Sequence, residues 1–429
     1  MMALASKSNF STANPHALAT ILEASETKRI IASRDIFDIS GIKLWARDLP
    51  VSHSLQRKLL DRQLRHPLEA CLAAEDGVTT QTLAKLTQQL LAQDCALTTL
   101  IRPHADRLLR EITQLPLHSV VQLLLTANQE SRPESFEHAV QAMALNGAFT
   151  IQRGGRILDL RLAMLSGLMH DLGEMYIDPK YGESDADRRL DFESYQQLVV
   201  HPHVGRLLVE QLTDYPPSIA RAIAEHHERL DGSGYPHRLV GEQVSPLGRQ
   251  LAAMDAALGV LRGAGAQLAR ASVALRVVPG EYDLTWVSMI ESAARAQPTP
   301  VATLPIEVIQ TRLTRLDTAL KVAQNSVDNL AAMTESPPLK DGLHLARHLL
   351  GRLQIGWDSS GLSSAESVTA QDAAEVEAVE DEILYRLRAI ERAALLQAGD
   401  IPADEALLLS ILCESLAEAV DVVSAPTSQ

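Results

Sequence analysis

Two histidine-containing stretches hold the side chains of this sequence that are best suited to bind metal ions. In EHHERLDGSGYP, His226 and His227 are adjacent and precede a glycine-rich turn. In LSGLMHDLGEMY, His170 is followed by Asp171. Two buried imidazoles must each find a hydrogen-bond partner, whereas metal ions use imidazole and carboxylate groups directly as ligands. Both stretches therefore indicate a metal site, and a hydrogen-bonded buried pair is the alternative interpretation of His226 and His227.

Further imidazoles and carboxylates stand in helical patterns elsewhere in the chain. His201 begins the amphipathic run HPHVGRLL, and Asp255 lies in the apolar run LAAMDAALGVL, where a bare carboxylate would be costly. Glu134 and His138 are four residues apart and so share one face of a helix. A set of imidazoles and carboxylates without thiolates suits iron, manganese, nickel or zinc, and does not choose among them.

These residues together resemble the HD-GYP family of bacterial cyclic dinucleotide phosphodiesterases. The signature HHExxDGxGYP is matched at every fixed position from His226 to Pro236. The HD dyad, the HPxxG element at His201 and the late aspartate Asp255 stand in the order of the family. The resemblance covers about residues 130–295, and a long signature with ordered satellite ligands is far more specific than a lone short motif.

The resemblance implies a cluster of divalent ions at which cyclic di-GMP is hydrolysed to pGpG, GMP or both. The attacking group would be a metal-bridging hydroxide, with His170 and Asp171 as catalytic residues and Asp171 as the bridge. The implied metal ligands are Glu134, His138, His170, Asp171, His201, His226, His227 and Asp255. So many ligands require at least two ions, and Glu134 matches the members of the family that hold three. Iron or manganese is expected first, with zinc or nickel as alternatives.

The resemblance also places the turn of the signature beside the substrate. The implied substrate-binding residues are Arg229, Asp231, Gly232, Gly234, Tyr235 and Pro236, with Lys180 as a substitute for a missing basic residue. Glycines permit a tight backbone there, and turn amides or Arg229 can face phosphate. A structural loop without substrate contact is the alternative.

Three departures from the family pattern concern substrate recognition. Glu174 stands where the family usually has lysine, Leu258 stands where it has a second aspartate, and LRGAGAQLAR replaces a basic and aromatic run. None of them removes a predicted metal ligand. Two alternatives therefore stay open beside the phosphodiesterase: a catalytically weak signalling adaptor that binds metal, nucleotide and partner proteins, and a phosphohydrolase of another cyclic dinucleotide.

Composition narrows the class of protein. The chain has 429 residues, 46% of them hydrophobic, in Leu- and Ala-rich segments that favour helices. A net charge of −15 disfavours binding to a nucleic-acid polymer, although a small anionic nucleotide can still bind beside metal ions. We expect no membrane span, no signal peptide in MMALASKSNF and no disulfide framework from three scattered cysteines. These features predict a cytoplasmic protein.

The predicted fold is mostly α. An HD-type helical bundle core is expected at 130–298, after a module at 1–129 with a small β-hairpin near 28–48 and before a helical region at 299–429. The proline-rich run QPTPVATLP marks the second boundary. The helical flanks suit a protein partner or a homodimer.

Other segments carry more local predictions. Ser54–Leu72 is predicted to be helical with a break before Pro67, and Gly182–Arg189 a loop or a lid. Further helices are predicted at 80–91, at 106–126 with an interruption near Pro116, and at 284–296, 306–333, 342–353, 373–397 and 405–423.

Overall fold

A computed structural model describes residues 10–59, 61–179, 198–262, 267–298, 300–360, 372–398 and 403–424. The described part is mostly helical with two small sheets, which confirms the predicted fold class. None of its helices combines the length and the apolar character that a membrane crossing requires.

The described residues divide into two compact units. The first contains 10–179, 198–228 and 234–258, and the second contains 229–233 and the residues from 259 onward. The sequence instead predicts three segments, at 1–129, 130–298 and 299–429. That three-part organisation stays a prediction. The predicted loop or lid at Gly182–Arg189 lies outside the described residues.

The first unit consists largely of helices. They are α1 (Pro15–Ala24), α2 (His53–Leu59), α3 (Thr80–Leu91), α4 (Ala96–Ile101), α5 (Ala105–Ile112), α6 (Ser119–Ser131), α7 (Pro133–Gln152), α8 (Ile157–Met169), α9 (His201–Leu212), α10 (Pro217–Glu225) and α11 (Pro246–Leu261), the last up to residue 258. α3 has the predicted bounds, and α5 and α6 are the two parts of the helix predicted at 106–126. α7 packs against α6 and α8, and its Phe149 is fully buried.

The β-structure of the first unit has four short strands. They are β1 (Ile30–Ala32), β2 (Ile36–Phe37), β3 (Lys43–Trp45) and β4 (Leu72–Ala74). β2 pairs with β3 in an antiparallel hairpin, as predicted for 28–48. β1 instead pairs with the distant β4, so that Ile30 faces Ala74.

The helix predicted over Ser54–Leu72 is wrong beyond Leu59. Downstream of α2, backbone groups bond to the β2 region instead of closing helical turns: the amide of Ile39 donates to the carbonyl of Gln63, and the amide of Arg65 donates to the carbonyl of Phe37. Tertiary pairing therefore overrides the local apolar pattern of this segment.

The second unit contains the later helices. They are α12 (Leu268–Arg276), α13 (Leu284–Arg295), α14 (Ile306–Met333), α15 (Pro337–Ser359), α16 (Ala373–Ala398) and α17 (Ala403–Ser424). α15 packs against α14 and α16, and α17 packs against α14, around a core that includes Leu313, Trp357 and Ile383. The indole of Trp357 donates to Asp317 Oδ1 at 3.2 Å. The sequence predictions for α13 to α17 agree with the observed bounds, although α15 is longer at both ends than the predicted 342–353, and α12 was not predicted.

Candidate metal centre

Helix ends of the first unit carry most of the predicted metal ligands. His201 is the first residue of α9, His170 and Asp171 directly follow α8, and His226 and His227 directly follow α10. The remaining members of the set are Glu134 and His138 in α7 and Asp255 in α11. A side chain at a helix end is held by the packing of the helix behind it, so its position is well defined.

Two glycines allow the ends of α8 and α9 to approach each other. A Cβ atom on Gly173 would overlap the carbonyl oxygen of His201, and one on Gly205 would lie 2.9 Å from Cγ2 of Ile223. Both distances are too short for a methyl group. Both glycines therefore have a packing role: Gly173 lets the segment after α8 approach His201, and Gly205 lets α9 pack against Ile223 of α10.

The ligand atoms form two groups that share Asp171. One group consists of His138, His170 and Asp171, and the other consists of His201, His226 and His227. Within each group the ligand atoms lie within 4.8 Å of one another. Asp171 Oδ2 lies 3.3 Å from Nε2 of His138 and 3.0 Å from Nε2 of His170. Its other oxygen, Oδ1, lies 3.5 Å from Nε2 of both His201 and His226. One carboxylate thus faces both groups, as a bridging ligand would.

Asp255 is a second carboxylate close to the first group. Its Oδ1 atom is 3.5 Å from Nε2 of His138 and 3.4 Å from Nε2 of His170, and its Oδ2 atom is 3.9 Å from Nδ1 of His227. The otherwise apolar face of α11 therefore directs its one carboxylate at imidazoles, which offsets the cost of burying it.

The hydrogen bonds of the histidines fit bound cations. Nδ1 of His201 lies 2.7 Å from the carbonyl of Leu198, and Nδ1 of His226 lies 2.6 Å from that of Ile223. A carbonyl only accepts, so each Nδ1 carries the proton and each Nε2 presents a lone pair. Yet these two Nε2 atoms are only 3.1 Å apart in a fully buried site. A cation between them removes the repulsion of the two lone pairs, so the residues present fit a metal ion.

The other group repeats this geometry. Nδ1 of His170 lies 2.8 Å from the carbonyl of Gly167, and its Nε2 lies 3.1 Å from Nε2 of His138. Asp171 Oδ1 is buried and has no hydrogen-bond partner among the described residues. A buried carboxylate oxygen in that state is costly unless a cation neutralises it.

The electrostatics of the cluster follow from burial opposed by opposite charges. Burial alone would raise the pKa of Asp171, but the charge of His170 and the hydrogen bonds from His138 and His170 hold it well below its usual range. Burial lowers the pKa of His226, and the neighbouring His227 lowers it further. The carboxylate is therefore ionised and His226 is neutral near pH 7, which are the forms that bind metal. Burial lowers the pKa of His170, but Asp171 and Asp255 outweigh that effect and raise it well above its usual value, so a metal ion bound to His170 would displace its proton.

Glu134 does not join either group. It lies in the first turn of α7 with its side chain exposed, while His138, one turn later, is buried in the cluster. Helical spacing places both residues on one side of α7, but it does not predict how deeply each side chain is buried. The described residues thus offer two groups of ligands, and a third ion that uses Glu134 stays a prediction.

The signature loop contains two supports that sequence reasoning did not assign. The ring of Tyr235 stacks on His227, with ring centroids 4.6 Å apart and planes 24° apart, and its amide donates to the carbonyl of His227. The carboxylate of Glu228 is buried and accepts from the amides of His237 (2.6 Å) and Leu239 (2.9 Å). In the sequence, the one indication of these roles is that Tyr235 and Glu228 occupy fixed positions of the signature.

The remaining predicted substrate-binding residues differ in their backbone conformation, burial and contacts. Gly232 has a φ of +80°, and Gly234 is buried. Arg229 lies over the ring of Tyr282, 4.8 Å from its centroid, and Asp231 accepts from Arg352. Lys180 lies outside the described residues.

Glu174, which replaces the usual lysine of the family, is buried. Its carbonyl accepts from Arg132 Nη1 at 3.0 Å. Burial lowers the pKa of Arg132, and the charge of Glu174 partly opposes that effect. The carboxylate therefore has a cationic neighbour within its own unit.

Known proteins match the central part of the chain. Residues 135–277 match the family model described as HD domain. A cyclic di-GMP phosphodiesterase of Pseudomonas aeruginosa is 29% identical over 220 residues, which are 51% of this chain and 50% of that protein. A 3′3′-cGAMP-specific phosphodiesterase of Vibrio cholerae is 27% identical over 90 residues, 21% of this chain and 19% of that protein.

The chain thus spans half or less of the length of these curated relatives. No solved structure gives a significant match. The matches confirm the resemblance to HD-type phosphodiesterases that the sequence predicted.

Proposed function

We propose that this chain, whose residues 135–277 match the HD domain family model, is a metal-dependent phosphodiesterase that hydrolyses cyclic di-GMP. The observation that carries the proposal is the pair of ligand groups joined by Asp171, whose two carboxylate oxygens face different histidine pairs. The Pseudomonas aeruginosa relative, a cyclic di-GMP phosphodiesterase, supports this substrate.

The residues present can hold two divalent ions. His138, His170 and Asp255 would hold one ion, His201, His226 and His227 would hold the other, and Asp171 would contact both. Imidazole and carboxylate ligands are compatible with iron or manganese, and with zinc or nickel. When bound, such ions lower the pKa of water and stabilise the charge that develops on phosphoryl oxygens.

The protein contributes position and protonation state. Backbone carbonyls hold the rings of His170, His201 and His226 with Nε2 toward the cluster, so these nitrogens need not reorganise when charge develops on a substrate. The low pKa of Asp171 keeps its carboxylate available at neutral pH. Burial of the cluster excludes bulk water, which strengthens its electrostatic effect on a bound phosphodiester.

A second candidate is hydrolysis of a related cyclic dinucleotide. The Vibrio cholerae relative is specific for 3′3′-cGAMP, and Glu174 and Leu258 replace residues that the family pattern assigns to recognition. The cluster would act on the same phosphodiester chemistry, and only the contacts to the bases would differ.

A substrate panel distinguishes these functions. Purified protein reconstituted with iron or manganese is incubated with cyclic di-GMP, 3′3′-cGAMP and cyclic di-AMP, and the products are separated by chromatography. We expect fastest turnover of cyclic di-GMP, with pGpG, GMP or both as products. Faster turnover of 3′3′-cGAMP would select the second candidate. A metal-loaded protein without turnover of any of the three would favour a signalling adaptor that binds protein partners.

A further inference from the structure

The centre of the signature, residues 229–233, belongs to the same compact unit as helices α15 and α16. These helices lie beyond residue 277, where the match to the HD domain ends. The five residues nevertheless continue without interruption from Glu228, and so from the metal-ligand candidate His227. Contacts that fix this segment therefore bear on a site whose ligands are far away in the sequence.

α15 contacts both the side chain and the backbone of Asp231. Arg352 Nε donates to Asp231 Oδ2 at 3.1 Å, and Nε2 of His348, one turn earlier, lies 3.3 Å from the carbonyl oxygen of Asp231. The other oxygen of Asp231 accepts from the amide (3.0 Å) and hydroxyl (2.6 Å) of Ser233. The side chain of Asp231 is 7% exposed, so this charge-assisted contact is shielded from solvent.

α16 supports the same segment through Glu281. Arg386 pairs with the buried carboxylate of Glu281 and the partly buried carboxylate of Glu382, and donates to the carbonyl of Ala274 at 3.1 Å. The carbonyl of Glu281 accepts from the amide of Leu230 at 2.9 Å. Arg229 lies 3.7 Å from the Glu281 carboxylate. Residues 229–231 are thus held by a network of buried charges.

We propose that Arg352 is a positioning residue of the signature loop: it holds Asp231 so that the turn from His227 to Tyr235 keeps one conformation. This inference rests on the proposed function, because the reaction is what the loop conformation would serve. Asp231 then has a role in orienting the loop, through a partner supplied from outside the HD domain. The C-terminal helices would thus contribute to the loop conformation on which the enzyme's activity depends.

The test compares Arg352→Ala with Arg347→Ala in the full-length, metal-loaded protein. Arg347 is the matched control: it lies on the same helix and pairs with Asp328 at 2.7 Å, away from the signature. Two readouts are taken: hydrogen exchange of the amides of 229–235, and kcat and KM for cyclic di-GMP. Metal per chain is measured in every sample.

For Arg352→Ala we expect exchange of these amides to rise roughly tenfold or more and kcat to fall by about the same factor, as the loss of a buried charge-assisted bond implies. Metal per chain should stay unchanged, Arg352→Lys should recover part of both effects, and Arg347→Ala should alter neither. Asp231→Asn should lower kcat similarly, and adding Arg352→Ala to it should cost little more, because the two residues act as a pair.

Unchanged exchange in Arg352→Ala would overturn the inference, and so would faster exchange with an unchanged kcat. If Arg352→Ala fails to fold, Arg352→Lys and Asp231→Asn give the same comparison. If the wild type hydrolyses no cyclic dinucleotide, the proposed function fails, while the exchange measurement still tests whether Arg352 orders the loop.

Discussion

At the scale of single residues, the site depends on groups that hold the ligands as much as on the ligands themselves. The imidazoles and carboxylates could be selected from the sequence because adjacent histidines and an aspartate in an apolar helix have few structural uses. The residues that support these ligands, Tyr235 and Glu228, could not be selected in this way. Their contacts depend on the path of a loop, and no sequence periodicity predicts that path. Glu134 illustrates the reverse case: its spacing fits, but its side chain remains exposed.

Stacking of Tyr235 on His227 should stabilise the second ligand group. Tyr235→Leu removes an aromatic contact worth about 0.5–1.5 kcal/mol and should weaken metal retention roughly tenfold, whereas Tyr235→Phe keeps the ring and should retain metal. Metal content after dialysis against a graded series of chelator concentrations measures the effect. An equal loss in both variants would show that the hydroxyl group, and not the stacked ring, supports His227.

Glu228 should stabilise the fold of the loop after the signature. Glu228→Gln replaces one carboxylate oxygen by an amide that cannot accept from a backbone amide, so we expect a loss of about 1–3 kcal/mol in the free energy of unfolding. Denaturant unfolding measures it, with the exposed Glu242→Gln as control, for which a change within about 0.5 kcal/mol is expected. If the two variants unfold alike, the two bonds do not contribute to stability.

At the scale of elements, the ends of α8, α9 and α10 meet because particular positions lack side chains. The sequence predicted the helical run that begins at His201, which is α9. It did not predict that Gly173 lies against the carbonyl of His201, since that contact exists only once α9 is packed. For the same reason, the sequence wrongly predicted that the helix continues beyond Leu59, where backbone groups pair with the β2 region.

Gly173→Ala should separate the two ligand groups. The added methyl overlaps the carbonyl oxygen of His201, so α9 must shift, and we expect a destabilisation of about 1–3 kcal/mol with loss of bound metal. Gly259→Ala is the control, because its added Cβ meets no atom of the described residues within 4 Å outside its own helix backbone and chain neighbours, and alanine favours a helix. Thermal unfolding and metal analysis of both variants decide the matter: retention of full metal content by Gly173→Ala would contradict the packing role.

At the scale of the whole molecule, a C-terminal helical region could be predicted from apolar periodicity, but its electrostatic interior could not. Glu380 on α16 is fully buried and lies 2.6 Å from Arg312 on α14. Burial raises the pKa of Glu380 to about 7, an effect that Arg312 opposes and that Asp381 and Glu377 reinforce. No sequence pattern marks this glutamate, because it stands among other acidic residues of a helix.

This glutamate should make stability depend on pH. Its folded pKa lies above the unfolded value of 4.5, so the folded state binds more protons between about pH 4.5 and about 7. The contribution of Glu380 is therefore fully present below pH 4.5 and is lost as the pH rises toward 7. Glu380→Gln cannot ionise, so its stability relative to wild type should rise across that window. Urea unfolding at a series of pH values measures this difference, and a constant difference would refute the assignment.

The proposed phosphodiesterase requires Asp171 to join two metal sites. The test measures metal per chain and cyclic di-GMP turnover in wild type and Asp171→Asn, with Asp159→Asn of α8, whose side chain is 44% exposed, as control. We predict two ions per chain and turnover in the wild type and the control. In Asp171→Asn we predict loss of at least one ion and a fall in turnover of roughly a hundredfold or more. Full metal content and turnover in Asp171→Asn, or a metal-loaded wild type that hydrolyses no cyclic dinucleotide, would contradict it.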